Sequence, residues 1–308
     1  MQNLNVSPGS LKAVIKDDNL FLEVEGQKSD LFRIEEIFIK KLFRWFYTGT
    51  EMVNLLSTEA KLHVVNNLLS EISYRGIKYP DNYVKLRVEN GSVYSILASI
   101  YETVEDTEFY EAVRDFGITY VEHSPYITRF ISDIRLQTEA IVDDRMGYAL
   151  NFTNSQTGFA ALSSSVFAFR YICRNGAVTT VGNKSVIYHG RGAFDRFIYS
   201  ISDLNDLFNE IVPEFDRGLI KARTIKYKKE MHPVVQNIIG PAITVFETRK
   251  MMKALERCTN LWEIYDHLTT SAKEKGIYEK FLLQEAAGNI ICQLVRNPQE
   301  ADKSGLKN

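Results

Sequence analysis

The sequence predicts an α+β fold: a central, twisted, mainly antiparallel sheet flanked by N- and C-terminal helices. Three observations predict it. Apolar residues recur at spacings of three and four in 31–46 and again in 242–268. Residues 83–88 alternate strictly between apolar and polar. The strand-like segments are gathered between two helical blocks, which suits a sheet covered from both chain ends.

Taken in order, residues 1–28 read as short strands. Ala13-Val14-Ile15 and Leu20–Val24 flank Asp17-Asp18-Asn19, a hairpin with an Asp/Asn turn. Residues 29–75 read as helical. Leu31, Ile34, Ile37, Phe38, Leu42, Trp45 and Phe46 form one stripe, with Lys40, Lys41 and Arg44 off it; Leu62, Val65, Leu69 and Ile72 form a second.

Residues 80–192 are the strand-rich centre. Val84, Leu86 and Val88 face one way and Tyr83, Lys85 and Arg87 the other, before an Asn90-Gly91 turn. A helix over 105–114 precedes strands at Ile118–Val121, Ile127–Leu136, Tyr148–Phe152 and Val166–Cys173. Asn154–Gly158 reads as a loop and Asn175-Gly176 as a tight turn. Residues 200–296 return to helix, punctuated by Pro241 and Gly276. Trp262, Tyr265 and Leu268 have the spacing of core positions. One domain is expected over 1–297, with a polar tail, 298–308, that frays.

Composition narrows the function classes. A net charge of −2 argues against a protein that is basic all over but leaves local basic faces open. Cys173, Cys258 and Cys292 are odd in number and lack metal-type spacing, so they read as reduced thiols, and no metal or cofactor is expected. No apolar run reaches the length of a membrane span, and the first residues hold no signal core. The expected location is the cytoplasm of a prokaryotic host cell, without membrane attachment.

A series of short motifs then runs in one order: Gly147–Phe152, Asn154-Ser155 with Gly158, Phe169–Gly176 with Arg170, Cys173 and Asn175, and Tyr188-His189-Gly190. Leu261–Tyr265 followed by Thr269 continues it. This resembles the phage/plasmid-like protein family known as domain of unknown function 932. The resemblance covers roughly 80–290. Asp266-His267 stands where the family usually has Asn-Ala, and Gln156-Thr157 departs from the family's loop. The resemblance implies a mobile-element context and a polar cluster, and it implies no reaction.

The polar-site candidates are Asn154, Ser155, Arg170, Arg174, Asn175, His189 and Arg191. An arginine such as Arg170, flanked by apolar strand residues, must pair with a carboxylate or grip an anion, because an unpaired buried charge is costly. Asp143 and Asp144 are the candidate structural partners; phosphate or carboxylate is the candidate ligand. Cys173 and His189 match a nucleophile and base only by residue type, with no local signature of that chemistry. Gly182-Asn183-Lys184-Ser185 resembles a phosphate loop, but Asn183 separates Gly from Lys and excludes it.

Two basic surfaces point to nucleic acid. The first is the sheet face Tyr83, Lys85 and Arg87, extended by Arg75 and Lys78. The second is Arg217, Lys221, Arg223, Lys226, Lys228 and Lys229 with Tyr227 among them, six cations in thirteen residues. Aromatics among cations can stack bases while the cations neutralise phosphates. The leading expectation is therefore a phage- or plasmid-type nucleic-acid-binding protein, acting on single-stranded DNA by binding or annealing, with homo-oligomers in keeping with that role. The alternatives are an enzyme acting on a phosphorylated or nucleotide substrate through Arg170 and His189, and a structural or host-interaction protein. The residues do not decide whether any catalysis occurs.

Overall fold

The computed structural model describes residues 1–25, 31–46, 53, 55–74, 83–141, 144–170 and 177–296. The chain is α+β with helices toward both ends, but its described strands divide between two six-stranded sheets. The first sheet belongs to the N-terminal hundred residues. It holds β1 (Gln2–Val6), β2 (Leu11–Lys16), β3 (Asn19–Val24), β4 (Leu31–Ile34), β5 (Val84–Glu89) and β6 (Ser92–Ala98), in the order β1-β5-β6-β4-β3-β2. Both of its tight hairpins follow local chemistry. Asp17 and Asp18 join β2 to β3 at φ 49° and 59°, and Asn90 and Gly91 join β5 to β6 at 49° and 76°. Two consecutive left-handed residues make a turn whose twist matches the strands.

One expectation fails here. Leu31–Ile34 is a strand, not the start of a helix: it fills the slot between β3 and β6, antiparallel to the first and parallel to the second. Its apolar spacing fits either period over so few residues. Gln2–Val6 lies in the segment expected to form short strands, and it pairs with β5 along its whole length. Helices α1 (Glu36–Trp45) and α2 (Thr58–Tyr74) cover one face of this sheet. There Phe38, Leu42, Val65 and Leu69 meet Val84, Leu86 and Val88, as the alternation predicts.

The second sheet holds β7 (Ile118–His123), β8 (Thr128–Ser132), β9 (Leu136–Ile141), β10 (Asp144–Asn154), β11 (Leu162–Arg170) and β12 (Ala177–Ile187). Its order is β12-β11-β10-β8-β7, with β9 paired to the far end of β10. Helix α3 (Asp106–Val113) precedes it. Helices α4 (Ala193–Ser200), α5 (Leu204–Ala222), α6 (His232–Ile239), α7 (Val245–Leu255), α8 (Leu261–Ser271) and α9 (Ile277–Arg296) follow. The expected long run over 242–268 is two helices. Thr244 and Glu247 cap α7 reciprocally, and Asn260 caps α8. The main core lies between one face of this sheet and α3, α4, α5, α8 and α9; Tyr265 and Leu268 are fully buried in it.

The opposite face carries Arg129, which is buried. It donates to Glu122 at 2.6 Å and lies over the rings of Phe167 (4.5 Å) and Phe281 (5.1 Å). Burial pulls its guanidinium down to about 10, against the pull of Glu122, so it stays charged. Among the described residues no helix is long and apolar enough to cross a membrane.

Candidate functional site

The loop after β10 is where the two sheets meet. The side chains of Asn154, Ser155 and Thr157 face back into the second sheet's own half. Asn154 donates to Val104 O (2.9 Å) and to Asp106 (2.8 Å), Ser155 donates to Tyr126 O (2.6 Å), and Thr157 donates to Pro125 O (2.7 Å). Its carbonyls face the other way. Ser155 O accepts from the Tyr101 hydroxyl at 2.8 Å, Thr157 O from Ser95 at 2.8 Å and Phe159 O from Arg44 at 3.0 Å; Gly158 O accepts from the Lys41 ammonium. Gly158 has φ 74°, and a Cβ there would lie 2.7 Å from Lys41 Nζ and 2.8 Å from Leu97 Cδ2. Glycine is needed for both conformation and space. Asn154 and Ser155 thus bind the loop in place through the Asn154 amide N–H groups and the Ser155 hydroxyl, while Asn154 Oδ1 is buried without a hydrogen-bond partner among the described residues.

His189 lies against this joint. Its ring stacks on Tyr101 with centroids 4.5 Å apart. Its Nδ1 is 2.8 Å from Glu102 O, which can only accept, so the proton sits on Nδ1. Nε2 is buried without a hydrogen-bond partner among the described residues. Burial, with help from nearby Lys41, lowers the imidazole pKa to about 4. Burial and the neighbouring Arg44 lower Lys41 to about 7. Glu102 itself caps α4, accepting from the amides of Ala193 (2.9 Å) and Phe194 (3.3 Å).

The described polar-site candidates do not all lie at one place. Leu162 pairs with Ile187 at one end of the β11–β12 hairpin and Arg170 with Ala177 at the other. Eight residues of strand, roughly 26 Å, separate the Arg170 backbone from the end that carries His189. Arg174, Asn175 and Cys173, with the Asn175-Gly176 turn, lie outside the described residues, as does Asp143. Arg191 is exposed just beyond His189, and its carbonyl accepts from Arg196 at 2.8 Å.

The first basic surface is also corrected. Arg87 is fully buried, not solvent-facing. It donates to Asn3 (3.1 Å), Glu105 (2.9 Å) and Gln156 (2.8 Å). Lys85 is half-buried and donates to Tyr101 O at 2.8 Å; Tyr83 is half-buried. The alternation assigned these side chains to the correct face of β5, but the loop 154–159 and the segment 99–105 cover that face. Arg75 and Lys78 lie outside the described residues.

The second surface has a different character. Arg217, Lys221, Arg223, Lys226, Lys228 and Lys229 line the last turns of α5 and the segment after it, largely in solvent. None forms an ion pair among the described residues. No carboxylate occurs within the thirteen residues. Arg217 and Lys221, one helical turn apart, edge a groove of about 310 Å³ between α5 and α9, floored by Ile211, Phe215, Ile291 and Val295. Tyr227 points inward: it stacks on His232 (4.9 Å), its hydroxyl is buried without a hydrogen-bond partner among the described residues, and burial raises its pKa.

Sequence reasoning missed Tyr101, Glu102, Glu105, Asp106 and Arg129 as structural partners. It saw Lys41 and Arg44 only as charges off an apolar stripe. Their departure from that stripe, on a helix otherwise committed to the core, was the available signal. Among the described residues no group of three or more His, Cys, Asp or Glu side chains could hold a metal ion. Comparison of the chain with family models, curated proteins and solved structures found no match.

Proposed function

We propose that this chain is a nucleic-acid-binding protein of a phage or plasmid, working in a prokaryotic cytoplasm, and that it holds phosphates on the cations of 217–229. One observation carries the reading: six Lys and Arg side chains stand together with no ion-pair partner among the described residues, in a chain whose net charge is −2. Such a cluster makes a local positive field that the rest of the molecule does not cancel. Lys221 and Arg223 also sit at the carbonyl end of α5, where the helix dipole favours cations. The motif resemblance over 80–290 supports the mobile-element context.

The mode of binding follows from Tyr227. With its ring packed inward, the patch offers phosphate contacts without a stacking platform, so affinity should follow phosphate density. Single-stranded DNA is proposed as a ligand, and duplex DNA, with its higher phosphate density, should bind the same cations at least as tightly. The enzyme reading is not proposed, because it needed Arg170 and His189 in one pocket and the β11–β12 register holds them apart.

Anisotropy titrations of labelled single-stranded and duplex DNA across a salt series test the proposal. If all six cations meet phosphates, log K should fall against log salt with a slope of about −4 on the single strand. Changing Lys226, Lys228 and Lys229 together to Ala should flatten that slope by about 2. Absence of binding at ~50 mM salt, where counterion release favours it most, would end the reading. An unchanged slope in the triple variant would also end it.

A further inference from the structure

We infer a second binding surface of the opposite charge: the outer edge of β7, with the groove between it and α3, takes an extended basic peptide as an added strand. β7 pairs with β8 alone, and among the described residues no strand pairs with its outer edge. Alternate residues of such an edge present unpaired N–H and C=O groups to solvent. Exposed edges are normally protected by charged residues, proline, a bulge or a covering element. The β7 irregularity lies at its Ile118/Tyr120 end, and the regular stretch 120–123 has neither Lys nor Pro and leaves Tyr120 55% and Val121 47% exposed.

Beside that edge runs a groove of about 680 Å³. Its floor is made by two cross-strand pairs, Val121 with Phe130 and His123 with Thr128. Its wall is one face of α3: Asp106, Thr107, Tyr110 and Glu111. α3 packs on β8 and β10 and leaves the same face of β7 open; a strand added to β7 would bond its backbone to the free edge and drop alternate side chains into the groove. Val121, Phe130 and Tyr110 would take an apolar side chain.

Charge selects the occupant. Asp106, Glu108 and Glu111 line the groove and no Lys or Arg does. Asp106 is held in place by Thr128 (2.6 Å) and Asn154 (2.8 Å), with His123 3.6 Å away as an ionisable neighbour. Glu111 pairs with Arg114 at 2.5 Å on the exposed side of α3. Glu108 has no ion-pair partner among the described residues. Two-fold pairing of β7 with β7 of a second copy would bring two such acidic helices together, and like charges across an interface oppose association. A partner whose groove-facing residues, two apart along the strand, include both an apolar and a cationic side chain satisfies the groove and the carboxylates together.

The test uses the full chain and a labelled heptapeptide Thr-Lys-Thr-Val-Thr-Lys-Thr, whose second, fourth and sixth residues share one face. Binding should be at least ten-fold tighter than for the counterpart with glutamate in place of both lysines, and proline in place of the central valine should abolish it. Amide hydrogen exchange should slow in 118–123 when the lysine peptide is added. Val121→Lys and Glu108→Lys, both at exposed positions, should each weaken binding several-fold. Equal affinity for the two peptides, or protection confined to other elements, would overturn the inference. A dimer in sedimentation that Val121→Lys dissolves would also overturn it, in favour of a second copy on this edge.

Discussion

Arg87 on β5 and the cations of 217–229 begin from the same kind of sequence evidence and end in opposite environments. Arg87 stands between Leu86 and Val88 on a strand and is sealed between the two sheets, where its guanidinium joins Asn3, Glu105 and Gln156. The cations of 217–229 sit at a helix end and in the segment after it, and stay in reach of solvent. Strand alternation states which face a side chain occupies; it does not state what covers that face. A helix end at the surface leaves fewer ways to be covered, so its charges keep the exposure their residue types suggest.

The largest effect should come from breaking the buried member of this comparison. Arg87→Met removes every donor to Asn3, Glu105 and Gln156 at the seam between the sheets. Glu105 keeps 41% side-chain exposure and can rehydrate, which places the loss toward the low end for a broken buried pair, about 3 kcal/mol. Urea unfolding measures it. A change under ~0.5 kcal/mol, the range of ordinary surface substitutions, would mean that Arg87 does not hold the seam.

Gly158→Ala strikes the same seam from the loop side. It forces a side chain into a left-handed residue and pushes a methyl group against Lys41 and Leu97. The expected loss is about 2 kcal/mol. Because Lys41 Nζ is the nearer obstacle, Lys41→Ala in the same chain should recover part of that loss, and a double-mutant cycle reads the coupling. Strict additivity would show that Leu97 alone sets the cost.

Much of this was legible in the sequence, and the illegible part has a common cause. Period and turn chemistry located the Asp17-Asp18 and Asn90-Gly91 hairpins, the α2 stripe and the buried Val84, Leu86 and Val88. Gly158 stood out within a loop. Local signals could not show that the strands form two sheets, because pairing partners such as β1 and β5 are some eighty residues apart in sequence. They could not show that Arg170 and His189 lie at opposite ends of one hairpin, because a short list of polar residues carries no register. Nor could they show that the loop 154–159 turns its carbonyls toward Lys41, Arg44, Ser95 and Tyr101, since backbone acceptors look the same in every sequence.

Acid and base titration sharpens the contrast further. His189 and Lys41, both buried at the seam, bind a proton less readily folded than unfolded, so stability rises with pH wherever the unfolded chain is the more protonated. For His189 that window runs from about 4 up to 6.5, and for Lys41 from about 7 up to 10.5. Between pH 7 and 6 the histidine should account for about 1 kcal/mol or less. His189→Phe should flatten the acid side of the stability curve, and Lys41→Met the alkaline side. Urea midpoints at several pH values report both, and stability that falls as pH rises through either window would contradict the buried placement.

The smallest effect on stability should come from the cations in solvent. Lys226, Lys228 and Lys229 have no ion-pair partner to lose among the described residues, and their mutual repulsion is relieved on removal. Changing all three to Ala should move the unfolding free energy by no more than about 0.5 kcal/mol, in either direction. The same triple variant should show the flattened salt dependence on DNA. That pairing separates the two regions cleanly: Arg87 should matter to folding and the lysines to phosphate. If the triple variant instead unfolds as readily as Arg87→Met, these lysines are structural, and the basic patch has no spare charge to offer a ligand.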